Sequence, residues 1–166
     1  MIELTPQVIL EAKAKRFALA KHAGQMYGDD PYSYHLTMVV DNVRQMTNGD
    51  PLQHIYVAIA WLHDVMEDCG VTYKELVDEF GLCVAECVQR LTKTDGMTYE
   101  EYLMGCIGSA FARRVKIADT MANMTESFRN SGNTNPAVRA KGEKGMQKYP
   151  RQLDILVQGT YYERSF

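Results

Sequence analysis

The stretch "HIYVAIAWLHDVMEDCG", residues 54–70, constrains this chain more than any other. At 100° per residue, Ile55, Ala58, Ile59, Leu62, Val65 and Met66 share one stripe of an α-helix, and Tyr56, Val57, Ala60 and Trp61 make the other side apolar too. A helix that is apolar all round threads the middle of a protein, so other elements must pack around it. A short apolar run also fits a buried strand, but this one continues into "HDVMED" without a breaker, which favours helix. His63, Asp64, Glu67 and Asp68 then fall on the arc begun by Tyr56, Val57 and Ala60. Pairs 63/67 and 64/68 are each one turn apart, so the four groups form one contiguous patch.

Burying several carboxylates without partners costs on the order of several kcal/mol per ion. The patch therefore opens into a cleft or is neutralised by a cation, and the bland alternative is a solvated helix end. Adjacent imidazole and carboxylate suit Mn²⁺, Fe²⁺ or Zn²⁺ better than Ca²⁺. Two residues leave an ion short of ligands. His35, after "DDPYSY", sits where a turn would aim it inward. In "RRVKIADTMANM", Lys116, Asp119 and Asn123 share one helix face beside an apolar one formed by Val115, Ala118 and Ala122. Lys116–Asp119 reads equally well as a helix-surface ion pair worth a few tenths of a kcal/mol.

The rest of the chain reads as helix. Thr5-Pro6 is an N-cap with Pro at the first helical position, opening a segment to about Tyr27. "GDDP" is a turn. A second helix is expected from Ser33 or His35 to Thr47, stopped by "NGDP", and a third from Pro51 or Leu52 to about Cys69. Thr72 and Thr98, each followed three residues later by Glu, open short helices as capping boxes. A long helix is expected from about Ser109 to Phe128, a mobile loop at 129–136, and two closing helices at about 136–147 and 150–163. No hairpin signal recurs. The expectation is all-α: a single compact helical domain over residues 1–166, its motif-bearing core at about 18–124.

Composition excludes more than it selects. The 166 residues carry a formal net charge of −3, so nothing global points to nucleic acid. No apolar run approaches the ~18 residues of a membrane span, and the start reads as a helix, not a signal peptide. Four cysteines without a CxxC pair read as reduced packing residues, Cys83 among them, and a cytoplasmic home fits. Met38, Met46, Met104, Met121 and Met124 read as core filler. His22 reads as a hydrogen-bonded structural histidine that supports the site.

The ordered pattern "H…HD…D" resembles the HD-domain metal-dependent phosphohydrolases. The surrounding "AKHAGQ", "DPYSYH", "AIAWLHDVMEDCGVTYKEL", "FG", "LTK", "TYEEYL" and "RRVKIADTMANM" are similar to RelA/SpoT-type alarmone hydrolases and their small single-domain relatives. The resemblance implies that His35, His63, Asp64 and Asp119 hold one Mn²⁺-type ion, with Fe²⁺, Zn²⁺ or Co²⁺ as alternatives. Glu67 and Asp68 match an acidic pair that activates water and handles protons, and Asn123 a site residue one turn beyond the last ligand. The implied activity is removal of the 3′-pyrophosphate of (p)ppGpp to give GDP or GTP, so the implied partner is a small nucleotide, with no nucleic acid and no membrane. The alternatives are a phosphatase of another nucleotide, or a regulatory module that binds metal or nucleotide without turnover.

The chain departs from the family in three places. "MYGDD" follows "GQ" without a positive charge, leaving Tyr27 as the stacking candidate; Leu36 follows the first ligand, and Thr120 the last Asp. Candidate substrate contacts are Tyr27, Lys93, Tyr99, Tyr102, Arg114 and Lys116, with Arg113 a further cation in the same segment. The basic stripe Arg139, Lys141, Lys144 and Lys148 reads as a solvated face that could approach a polyphosphate.

Overall fold

A computed structural model gives the protein's structure and describes residues 5–161. Those residues form nine helices and one two-stranded hairpin: α1 (Pro6–Lys21), β1 (Met26–Tyr27), β2 (Asp30–Pro31), α2 (Tyr32–Met46), α3 (Gln53–Leu62), α4 (Val65–Cys69), α5 (Tyr73–Phe80), α6 (Leu82–Leu91), α7 (Tyr99–Ile107), α8 (Ala110–Ser131) and α9 (Pro136–Gln158). The all-α expectation holds.

The apolar run does become the central helix. Every residue of α3 from Tyr56 to Leu62 is buried, and α1, α2, α6 and α8 pack around it. Each neighbour presents small or β-branched side chains: Ala14 and Ala18 from α1, Val39 and Val43 from α2, Val84 and Val88 from α6, Val115 and Ala118 from α8. α9 packs along α8. Its Gly142 and Gly145 are buried against Ser127, Asn130 and Ser131 of α8. A Cβ at Gly145 would lie 2.0 Å from Ser127 Oγ, and one at Gly142 would lie 2.4 Å from Ser131 N.

Several boundaries differ from the expectation. α1 stops at Lys21 rather than near Tyr27, because the segment after Ala23 turns into the hairpin, which pairs Met26 with Pro31 and Tyr27 with Asp30. Gly28, with φ of 64°, makes that turn. The third helix is broken at His63–Asp64, so α3 and α4 are separate, and α4 ends on left-handed Gly70. The stretch 129–136 is not a loop throughout. α8 continues to Ser131, and the remaining turn is tied by Asn133 Oδ1 accepting from Asn135 N–H before Asn135 caps α9.

The two closing helices are one. Pro150 lacks an N–H for the Met146 carbonyl, yet α9 runs through it, since Gly142 and Gly145 before it and Gln152, Ile155 and Leu156 after it are all buried. The expected end at 163 lies outside the described residues. Cys83 is exposed, unlike buried Cys87 and Cys106, and Met104 and Met121 are 42% and 38% exposed rather than core. Thr98 and Glu101 form a complete capping box, and Thr72 Oγ1 accepts from Glu75 N–H.

Candidate metal centre and substrate cavity

The break at His63–Asp64 builds the centre. His63 keeps helical backbone angles as it leaves α3, and its Nδ1 lies 2.8 Å from the Ala60 carbonyl. A carbonyl only accepts, so Nδ1 carries a proton, and in the neutral ring Nε2 is left with the lone pair. That Nε2 is buried without a hydrogen-bond partner and lies 2.9 Å from Asp64 Oδ2, an acceptor. Two acceptors facing each other at that distance repel unless a proton or a cation sits between them.

The other ligand candidates converge from elsewhere in the chain. His35, one turn into α2, is 2% exposed, with Nε2 3.2 Å from Asp119 Oδ1 and 3.8 Å from Asp64 Oδ2. Donor atoms of His35, His63 and Asp64 all lie within 4.8 Å of one another. Asp119, from the middle of α8, turns Oδ1 to within 3.7 Å of His63 Nε2 and Oδ2 to Lys116 Nζ at 2.7 Å. Two imidazoles and two carboxylates at the end of an apolar helix are a donor set that fits a first-row divalent ion.

Electrostatics says the same. Burial alone would discharge these groups, and their mutual attraction overrides it. The Asp64 carboxyl stays ionised, held down to about 2 against its burial chiefly by His63. Lys116 is the main cause of the Asp119 carboxyl lying well below the usual range despite burial. Asp64 likewise outweighs burial and lifts His63 well above an ordinary histidine. In apo protein that histidine takes up a proton at the place a cation would hold.

Outer contacts fix each group. Tyr32 O–H donates to Asp64 Oδ2 at 2.5 Å and stacks on buried His22 at 4.6 Å. His22 Nδ1 lies 2.7 Å from Gln25 Oε1, and Gln25 Nε2 donates to Asp68 Oδ2 at 2.8 Å. Glu67 Oε2 accepts the Lys93 backbone N–H at 2.9 Å. Asn123 Nδ2 donates to Asp119 Oδ1 at 2.7 Å, and its Oδ1 accepts from Tyr27 O–H at 2.9 Å. The acidic pair is thus aimed by contacts from outside its own helix, not by the continuous helical patch read from the sequence.

These groups line a cavity of about 270 Å³. Of the expected residues, Tyr27, His35, Asp64, Glu67, Asp68, Lys93, Tyr99, Tyr102, Lys116, Asp119 and Asn123 reach it. His63 lies just beneath, beside Asp64 and Asp119. Arg114 does not reach it: its guanidinium lies over the Tyr56 ring and 3.5 Å from Asp50 on the far side of α8. Arg113 is turned to the Leu156 and Val157 carbonyls. Lys116 and Asp119 are not a surface pair, their side chains being 14% and 6% exposed. Tyr102 donates to the Leu91 carbonyl and offers the cavity its ring, above which Lys116 Nζ sits at 5.2 Å.

Lys148, Tyr149 and Gln152 of α9 also line the cavity; Lys148 belongs to the basic stripe read as a solvated face, and no sequence signal singles out Tyr149 or Gln152. Tyr32 and Gln25 were missed too, although they lie inside "DPYSYH" and "AKHAGQ". Tyr99 O–H donates to Gln152 Oε1 at 2.7 Å, and Gln152 Nε2 donates to Thr120 Oγ1 at 2.6 Å. Thr120, the position after the last Asp, therefore serves to anchor α9.

No model of a known protein family matches the chain. Individual relatives do. Over 128 residues, 72% of its length, the chain is 29% identical to a guanosine-3′,5′-bis(diphosphate) 3′-pyrophosphohydrolase of Haemophilus influenzae, covering 18% of that protein. It is 30% identical over 121 residues to the protein of the same name from Aquifex aeolicus, covering 68% of this chain and 17% of that one. The guanosine-3′,5′-bis(diphosphate) 3′-pyrophosphohydrolase MESH1 of Danio rerio is 29% identical over 121 residues, 66% of this chain and 64% of the relative. The chain thus spans less than a fifth of the two bacterial relatives. A solved structure described as a metazoan ortholog of SpoT that hydrolyses ppGpp shares the fold at a TM-score of 0.64 and 19% identity, covering 95% of this chain and 97% of that one. The resemblance to RelA/SpoT-type hydrolases read from the motifs is met by these sequence relatives and by the all-helical fold.

Proposed function

We propose that this chain, whose relatives are (p)ppGpp 3′-pyrophosphohydrolases, hydrolyses the 3′-pyrophosphate of (p)ppGpp with one divalent ion, Mn²⁺ by preference, at His35, His63, Asp64 and Asp119. The observation that carries the reading is the buried, unpartnered His63 Nε2 facing Asp64 Oδ2 beneath a cavity walled by lysines and tyrosines. When bound, the ion would supply Lewis acidity toward water and a phosphoryl oxygen. The chain's own residues do the rest. Lys93 and Lys116 bring positive charge to the phosphoryl oxygens, where phosphoryl transfer most needs it. Glu67 and Asp68, at the cavity wall, take the proton of the attacking water. Water adds at the phosphorus attached to the 3′ oxygen, that P–O bond breaks, and the departing 3′ oxygen takes up a proton as pyrophosphate leaves. Asn123 holds Asp119 in register, and the Tyr27, Tyr99 and Tyr149 rings offer faces to a base or ribose.

A phosphatase acting on another nucleotide is the second reading, favoured by one feature: the hairpin after Gln25 brings the Tyr27 ring to the cavity without a cation. The test is hydrolysis of ppGpp by Mn²⁺-loaded protein with products separated by ion exchange, beside Asp64→Ala. GDP plus pyrophosphate, absent in the variant, is the expected result. Intact ppGpp beside orthophosphate release from other nucleotides would replace the first reading with the second.

A further inference from the structure

A second cavity of about 360 Å³ adjoins the first and shares Tyr27, Asn123, Lys148 and Tyr149 with it. Lys141 and Lys144 of α9 line only this second cavity. Its carboxylate, Glu126, is turned to Arg129, from which Oε1 accepts at 2.7 Å, and Arg129 also holds Asp30 at 3.1 Å. Among the described residues no carboxylate lies within ion-pair distance of Lys141, Lys144 or Lys148. Burial and Lys116 push the Lys148 ammonium below the usual lysine range, with Lys93 and Lys144 adding to them and Asp119 opposing.

The lysines are held there by the fold. The buried Gly142 and Gly145 bring the α9 backbone against α8, and the lysines around them line the cavity. Ammonium groups gathered round a cleft and not themselves ion-paired repel one another, and an anion relieves that repulsion. The anion cannot be the phosphoryl group under attack, whose place is beside Lys93 and Lys116 in the first cavity.

We propose that Lys141, Lys144 and Lys148 bind a second phosphate group of the same substrate, remote from the bond being cleaved, so that the protein selects nucleotides phosphorylated at both the 3′ and the 5′ positions. This assignment takes the first cavity as the hydrolytic centre. It gives the chain, from a different helix, the positive charge that the segment after Gln25 lacks.

The test compares ppGpp with guanosine 3′-diphosphate bearing a free 5′-hydroxyl, using Mn²⁺-loaded wild type and K141A/K144A. Both positions are exposed on a helix and Ala is a strong helix former, so folding is retained. In wild type the 5′-hydroxyl substrate should show a KM about tenfold higher at similar kcat, the loss expected for charge-assisted contacts. The double variant should raise the KM for ppGpp by about the same factor and leave the 5′-hydroxyl substrate unchanged. Equal KM for the two substrates in wild type, or equal effects of the variant on both, overturns the proposal. If wild type hydrolyses neither, the hydrolase reading fails and calorimetry with GDP decides. Binding weakened about tenfold in the double variant then supports the lysine site, and unchanged or absent binding overturns it.

Discussion

The cavity has two walls made in different ways. The metal-facing wall comes from α2, α3, α4 and the middle of α8. Its side chains are pinned by direct hydrogen bonds to backbone groups, as with His63 on the Ala60 carbonyl and Glu67 on the Lys93 amide. The facing wall comes from α7 and α9 and carries long side chains, Lys148 and Tyr149 among them, on a helix that is itself positioned. Two buried glycines and the Tyr99–Gln152–Thr120 chain set that position. Chemistry needs atoms fixed to within a fraction of an ångström, whereas recognition of a flexible polyphosphate tolerates a movable wall. Substitutions in the first wall should therefore act on metal content and kcat, and those in the second on KM.

The sharpest break would come from Asp64→Ala. Asp64 is half-buried on the cavity wall, so the variant should fold, yet lose bound metal and fall to the limit of detection in turnover. Metal analysis together with the ppGpp assay checks both, and retained metal with retained turnover would dissolve the distinction between the walls. Tyr32→Phe removes only the hydroxyl donated to Asp64, and metal affinity should fall by about 10–100-fold, as for other outer contacts to ligands. A competition titration with a chelating dye reads it. Unchanged affinity would mean that Asp64 is positioned by the break at residues 63–64 alone.

On the opposite wall, Gly145→Ala drives a methyl into Ser127 and should destabilise by about 1–3 kcal/mol, the usual range for overpacking. Thermal melts should show a lower midpoint, while the surviving folded protein keeps its metal and raises KM for ppGpp. If the loss appears in kcat at unchanged KM, α9 belongs to the chemistry and the division fails.

How legible each wall was follows from the same difference. His63 and Asp64 stood out because carboxylates interrupt an apolar helix, and such a conflict is visible in a few residues. His35 and Asp119 needed the ordered motif to join them across the chain. The helix break was hidden, because His, Asp and Val in "WLHDVM" are only weakly unfavourable in a helix and no Gly or Pro marks a stop; Tyr32 and Gln25 hold Asp64 and Asp68 through contacts that only the tertiary fold makes. In α9 the signal was misleading. Pro150 argued for two helices, and the lysines read as a solvated stripe. What places them over the cavity is the absence of side chains at Gly142 and Gly145, and a missing side chain announces no partner.

The smallest effect sharpens the comparison at the start of α7, which carries Tyr99 and Tyr102 into the second wall. Thr98→Ala removes the acceptor for the Glu101 N–H and should cost about 1 kcal/mol, as other N-caps do. Glu101 is exposed, and the Thr98 N–H and hydroxyl donated to it hold its carboxyl below the ordinary value of 4.5. Since the folded value is the lower one, the contribution is present above pH 4.5 and is lost as pH falls through the folded value. The melting midpoints of wild type and Glu101→Gln should therefore differ slightly near neutrality and converge on acidification. A difference that persists in acid would assign the effect to side-chain packing instead of to the carboxylate. Metal content should be unaffected in both variants, because the capping box touches only the wall that positions and not the wall that reacts.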